Sequence, residues 1–188
     1  LADKQTNGPQ LFYGLRYHTH IVKPGEVGTF HDQVGFWLWE PARNRIIHSL
    51  AIPRGQVVMA VGEAEPDATE FEVHATEGAV DFGILSNPFL IEAFSTTEFH
   101  LRVTINPDGS WTYFSDTTLV TPDRTEPFAH TDTNTLYKVG EATLNPLAQQ
   151  AAKVSANGGA LAGEVAVVEP GGEADTSGGG LGIGSLKS

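Results

Sequence analysis

His18 and His20 stand two residues apart in a run of β-forming residues. On a strand such a pair projects from one face and can offer two imidazoles to one metal ion, with Glu26 following as a carboxylate. The bland alternative is two polar residues on the wet face of a strand, or hydrogen-bonded within it. No cysteine is present, so metal chemistry falls to histidine and carboxylate, and disulfides and thiolate nucleophiles are excluded. A second candidate is the segment 30–39, FHDQVGFWLW. It begins with His31 and puts Trp37 and Trp39 on one face, Phe36 and Leu38 on the other. Such a strand is buried on both sides or borders a large apolar cavity, and Gly35 permits close approach of backbone or ligand. Third, Arg54 sits in Ile52-Pro53-Arg54-Gly55 between two apolar runs, where its guanidinium can clamp a ligand carboxylate or simply decorate a hairpin. No Ser/His/Asp arrangement, phosphate-cradling glycine loop or carboxylate pair stands out, and Glu63, Glu65 and Asp67 read as solvated turn charges.

The elements that must hold these residues are β-strands. Residues 97–105 alternate Phe99, Leu101, Val103 and Ile105 with Glu98, His100, Arg102 and Thr104, the period of a half-buried strand. Asn106-Pro107-Asp108-Gly109 turns that strand into a return strand at 110–120. Further strands are expected at 10–20, 29–39, 46–53, 56–63, 71–77 and 133–139. Eight strands with short connections predict an antiparallel up-and-down β-barrel, since closure removes exposed edges. Residues 88–94 predict a short helix capped by Asn87, with Phe89, Leu90 and Phe94 as an apolar face that lids or plugs the barrel.

Three segments follow: a barrel at 1–140, a short helical piece at 146–156 within 141–156, and a Gly-rich acidic tail at 157–188, where ten of thirty-two residues are glycine. That tail is expected to be flexible. Twenty-three acidic against eleven basic residues give a net charge of -12, which repels a phosphate backbone or an anionic bilayer, so nucleic acid is not an expected partner. There is no apolar run long enough to span a membrane as a helix and no signal-peptide pattern at Leu1-Ala2-Asp3-Lys4, and a cytoplasmic location is expected. Leu1 in place of Met suggests that the sequence begins within a longer polypeptide.

The segments His31 to Trp39, Ile52-Pro53-Arg54-Gly55, Ser86-Asn87-Pro88-Phe89-Leu90 and Glu126 to Asp132, in this order, resemble blocks of the nitrobindin family. The resemblance covers residues 10 to about 140. It implies a ten-stranded barrel like those of lipocalins and fatty-acid-binding proteins, heme in the interior, reversible nitric oxide binding and peroxynitrite isomerisation. Two departures stand out. The Gly-x-Trp-x-Gly-x-Gly strand with which nitrobindins open has no counterpart before Leu11, so a first strand is expected to be missing. The family's proximal histidine stands four residues after a proline, which counted from Pro127 is Thr131. His130 lies one residue early, a shift that sends a strand side chain to the opposite face unless a β-bulge between Phe128 and Asp132 swings it back.

The resemblance therefore points to a branch that keeps the barrel, lacks the axial histidine and binds an apolar small molecule, lipidic or heme-like. The interior is expected to present Trp37, His31, Arg54 and Thr131 to that ligand, with His130 as the one candidate metal ligand. The alternatives are a ferric heme enzyme isomerising peroxynitrite, a cupin-like metal site at His18 and His20, and an interaction protein using the tail. For the cupin pattern Gly14 stands too near the histidine pair, and Val58 occupies the third ligand's place after Pro53-Arg54-Gly55. A homodimer is a further option.

Overall fold

Hydrogen bonding joins ten strands into one sheet in the order β1-β2-β3-β4-β5-β7-β6-β8-β9-β10. The computed structural model describes residues 3–7 and 10–140; the expected helical piece at 146–156 and the tail lie outside them. The strands are β1 (Asp3–Asn7), β2 (Gln10–Val22), β3 (Thr29–Glu40), β4 (Arg45–Ile52), β5 (Gln56–Glu63), β6 (Glu70–Glu77), β7 (Gly83–Ser86), β8 (Ser95–Ile105), β9 (Trp111–Val120) and β10 (Phe128–Leu136). One helix, α1 (Pro88–Ala93), sits between β7 and β8.

The all-β expectation holds, with two strands added and one moved. β1 carries the polar run DKQTN and is a strand because it pairs with β2, from Asp3 opposite Gly14 to Asn7 opposite Gln10. It occupies the stretch where a first strand was expected to be lacking. β7 is only four residues long and inserts between β5 and β6, parallel to β6 and antiparallel to β5, so the sheet is not a pure meander. β5 and β6 meet directly at Val61 and His74 and then diverge, and β7 fills the wedge. The last strand was expected at 133–139 but starts at Phe128, because FAHTDTNTL has no apolar alternation to announce it.

Ring contacts show that the sheet curls on itself. His48 of β4 lies 6.2 Å from Phe99 of β8, and Trp37 of β3 lies 5.6 Å from Phe71 of β6, centroid to centroid. Three strand spacings in a flat sheet would hold such rings about 14 Å apart. The curled face carries the core: Ile46, Leu50, Val58, Ala60, Val73, Ala75, Ile84, Leu101 and Val103 are buried, and Trp37, Phe71, Phe99, Trp111 and Tyr113 pack against them. On the opposite face of β6 and β8, Arg102 and His100 both bond Glu72 and hold its carboxyl below the usual range.

Local chemistry fixes the corners. In the β8–β9 hairpin Gly109 takes φ +80°, the left-handed region that suits glycine, and Asp108 accepts from both the Ser110 N–H and hydroxyl. Asn87 caps α1 by accepting the Leu90 N–H at 3.0 Å, and its side-chain amide donates to the Arg54 carbonyl at 2.6 Å. This residue thus ties the helix to the β4–β5 turn. Only Leu90 of α1 is buried; Phe89 is exposed and Phe94, the C-cap just past the helix, is half-exposed, so the expected three-residue apolar face is reduced to one anchor. A six-residue helix is too short to point all three inward. Asn87→Ala should cost about 1–2 kcal/mol of unfolding free energy in a denaturant titration, because it removes the cap and the bond to Arg54 together.

Candidate functional site in the curled face

Strand parity decides which residues share the interior. Directly paired residues lie on one face, and successive residues alternate. Trp37 pairs with His48 and Leu15, and Gly35 with Tyr17, so the interior side of β2 and β3 presents Tyr13, Leu15, Tyr17, His31, Gln33, Trp37 and Trp39. At the other end of the sheet Phe99 pairs with Thr117, and Thr117 with His130.

One wall is a buried polar chain. Gln33 donates from its amide to the Tyr17 oxygen at 2.6 Å, and that oxygen lies 2.6 Å from His48 Nε2. Because the amide nitrogen is the donor, the Tyr17 O–H is free to donate to Nε2, which fixes the neutral imidazole with its proton on Nδ1. Gln33 in turn accepts from His31 Nε2 at 3.2 Å. The Trp37 ring stacks on His48 at 4.0 Å and 7°, and the imidazole is only 2% exposed. Nδ1 is buried without a partner. Burial pushes the His48 pKa down to about 3, and pushes the Tyr17 phenol up to about 12 against the lowering effect of Gln33. Gly35 makes this possible: a Cβ there would lie 2.9 Å from the Tyr17 ring and 2.1 Å from the Ser49 carbonyl.

The interior side of β9 and β10 is more open. Tyr113, packed against the core, donates to Asp132 at 2.8 Å, which places Asp132 on the interior face. Burial first, then the Asp132 carboxylate, raises this phenol to about 12. β10 runs in unbroken register from Phe128 to Leu136, so His130, two residues before Asp132, lies on the same face. Thr131 pairs with Asp116 on the other face. The register thus differs from the expectation that a one-residue offset turns His130 outward, and no bulge is needed.

A family model described as a THAP4-like, heme-binding beta-barrel domain matches residues 3–138. The chain belongs to that family, the nitrobindins. Among curated proteins none matches.

Seven histidines are available to a heme iron in this nitrobindin-family barrel. His18, His20, His74 and His100 lie on the outer face. Of the three interior ones, His48 spends Nε2 on Tyr17 and His31 spends Nε2 on Gln33, whereas His130 is exposed and has neither ring nitrogen bonded to another described residue. An uncommitted imidazole facing an aromatic-lined concavity suits the group the family binds.

The other sequence candidates fall in different places. Trp37 and His31 are interior. Arg54 is exposed in the β4–β5 turn, its guanidinium 6.0 Å from the Phe94 ring centroid. His18 bonds Asp32 at 3.0 Å and His20 bonds Thr29 at 2.9 Å. Among the described residues no group of three His, Cys, Asp or Glu is placed to hold a metal ion. Tyr17, Gln33, His48, Tyr113 and Asp132 were missed as a site. His48 alone left a signal, a lone histidine at an interior position of the apolar strand RIIHSLAI. A groove of about 840 Å³ along β2–β5 is lined by outward residues such as Val34, Phe36, Val57 and Met59, and also by the interior residues Tyr17, Leu50 and Val58.

Keeping His48 neutral couples folding to pH. The unfolded chain takes up a proton near pH 6.5, whereas the folded one resists until about 3, so this stability is complete above the unfolded value and is lost as pH falls. Between pH 7 and about 4.5 the His48 contribution should fall by about 2–3 kcal/mol. Urea titrations at the two pH values should show the difference shrinking by that amount in His48→Gln.

Proposed function

We propose that the chain binds heme in the barrel interior, where His130 is the residue that would hold the iron. The observation that carries this reading is the β9–β10 register, which puts His130 on the face of Tyr113, Phe99 and the core while Thr131 faces away. Bound heme would supply reversible nitric oxide binding and, in the ferric state, isomerisation of peroxynitrite to nitrate.

The chain's own residues do the rest. Trp37 and Phe99, only partly buried against the core, are aromatic rings with surface left to give a guest apolar contact. Asp132, held by Tyr113, stands one pleat from His130 on the same face. Arg54, in the turn tied to α1, is available to a ligand carboxylate at the barrel's end. The exposed apolar residues on the outward side of β3 and β5, Val34, Phe36, Val57 and Met59, offer a homodimer surface.

A second reading is a carrier of an apolar molecule without iron coordination, favoured by Thr131 standing where the family's histidine is counted. Hemin titration separates the two. The first reading expects a sharp Soret band that shifts with nitric oxide, is lost in His130→Ala and survives in Thr131→Ala. Broad absorbance indifferent to both substitutions would overturn it in favour of the carrier. Arg54→Ala should weaken a carboxylate-bearing ligand about ten-fold more than its neutral ester, the ratio of one lost charge-assisted hydrogen bond, in a fluorescence competition assay.

A further inference from the structure

Four tyrosines occur in the chain, and their hydroxyls have unlike surroundings. Among the described residues neither Tyr13 nor Tyr137 has an acceptor for its O–H. Tyr113 donates to an exposed carboxylate, Asp132, and is also bonded by the Asn134 side chain, so what sets Tyr17 apart is its buried acceptor. Tyr17 donates to a buried neutral imidazole and accepts from an amide at the same time. Neither the family's heme chemistry nor the reading of His130 uses this arrangement.

We propose that Tyr17 and His48 are a proton-coupled redox pair. A one-electron oxidant of the radical or high-potential metal class takes one electron from the Tyr17 phenol. The O–H bond breaks as an N–H bond forms at His48 Nε2. The products are a neutral phenoxyl radical, an imidazolium and the oxidant reduced by one electron; returning the electron sends the proton back across the same bond.

Each neighbour supports that step. The donor–acceptor distance of 2.6 Å lets the proton move without displacement of either ring. Burial keeps the starting phenol protonated and the imidazole neutral with its Nε2 lone pair open, the acid and base forms that the transfer requires. The low basicity of His48 does not block transfer, because a phenol that has lost an electron is a far stronger acid than imidazolium. Gln33 continues to donate to the phenoxyl oxygen. Trp37, parallel to the imidazole at 4.0 Å, offers its π face to the new positive charge. The pair does not depend on heme, so the failure of heme binding and the failure of this proposal are distinguishable.

The test oxidises the full chain with flash-generated tris(bipyridine)ruthenium(III) and follows the phenoxyl radical by transient absorption and electron paramagnetic resonance. Tyr17→Phe should lower the long-lived radical yield about ten-fold, whereas Tyr113→Phe should leave it near wild type; His48→Gln should slow radical formation about ten-fold. In deuterium oxide, double resonance should find two exchangeable deuterons hydrogen-bonded to the phenoxyl oxygen, one from the Gln33 amide and one from the His48 imidazolium, and Gln33→Leu should keep the second. A radical that persists at full yield in Tyr17→Phe, that resides on Tyr113, or that lacks the imidazolium deuteron in Gln33→Leu would overturn the proposal.

Discussion

Parity along the strands is the constraint on which every other feature rests. Side chains alternate with a period of two, so a sheet with one buried face admits one register, and a slip of a single residue would exchange the two faces. The ladder from β2 to β5 and from β8 to β10 therefore sorts the chemistry. His18, His20, His74 and His100 are sent to the outer face, where His18 and His100 bond carboxylates in water. His31, His48 and His130 are sent to the concave face. No side chain needed a special device to reach its wall.

Desolvation then separates the interior histidines. His48 lies in the apolar centre of β4 and can be accommodated only as a neutral ring, with one nitrogen bonded and the ring sandwiched by Trp37. An unpartnered buried Nδ1 costs about 1–3 kcal/mol, a sum that ordinary core packing would avoid by placing leucine there. His130 lies near the edge of the sheet in a strand of Thr, Asn and Asp, exposed and with neither ring nitrogen bonded to another described residue. The two imidazoles are suited to different tasks because burial differs, and that difference follows from their places in the strand order.

Much of the fold could be read from the sequence, because apolar alternation and turn chemistry are local. The 97–105 pattern, the Asn106 to Gly109 turn and the Asn87 cap all carried their own signals, and the barrel family followed from ordered blocks. β1 and β7 left none: one is polar and the other four residues long, and each exists through pairing with a distant strand. Trp37 could be picked out as a cavity residue from its neighbours alone. Tyr17, Gln33 and His48 could not be joined, since they sit sixteen and thirty-one residues apart and meet only through the β2–β3–β4 ladder.

His130 shows where counting along a chain and geometry part. Distance from a proline locates a residue only if the strand starts at the same point after it, and here β10 begins at Phe128, one residue after Pro127. Fixing the origin instead at the Tyr113–Asp132 bond makes the count independent of the turn: Asp132 faces inward by contact, and His130 two residues earlier must do the same. A side-chain bond across two strands measures the facing of a residue more directly than a motif spacing, because it reports the pleat itself. The interior face of β10 is thus provided with an imidazole whatever the spacing from Pro127, and Thr131 is left to the outer face with Asp116.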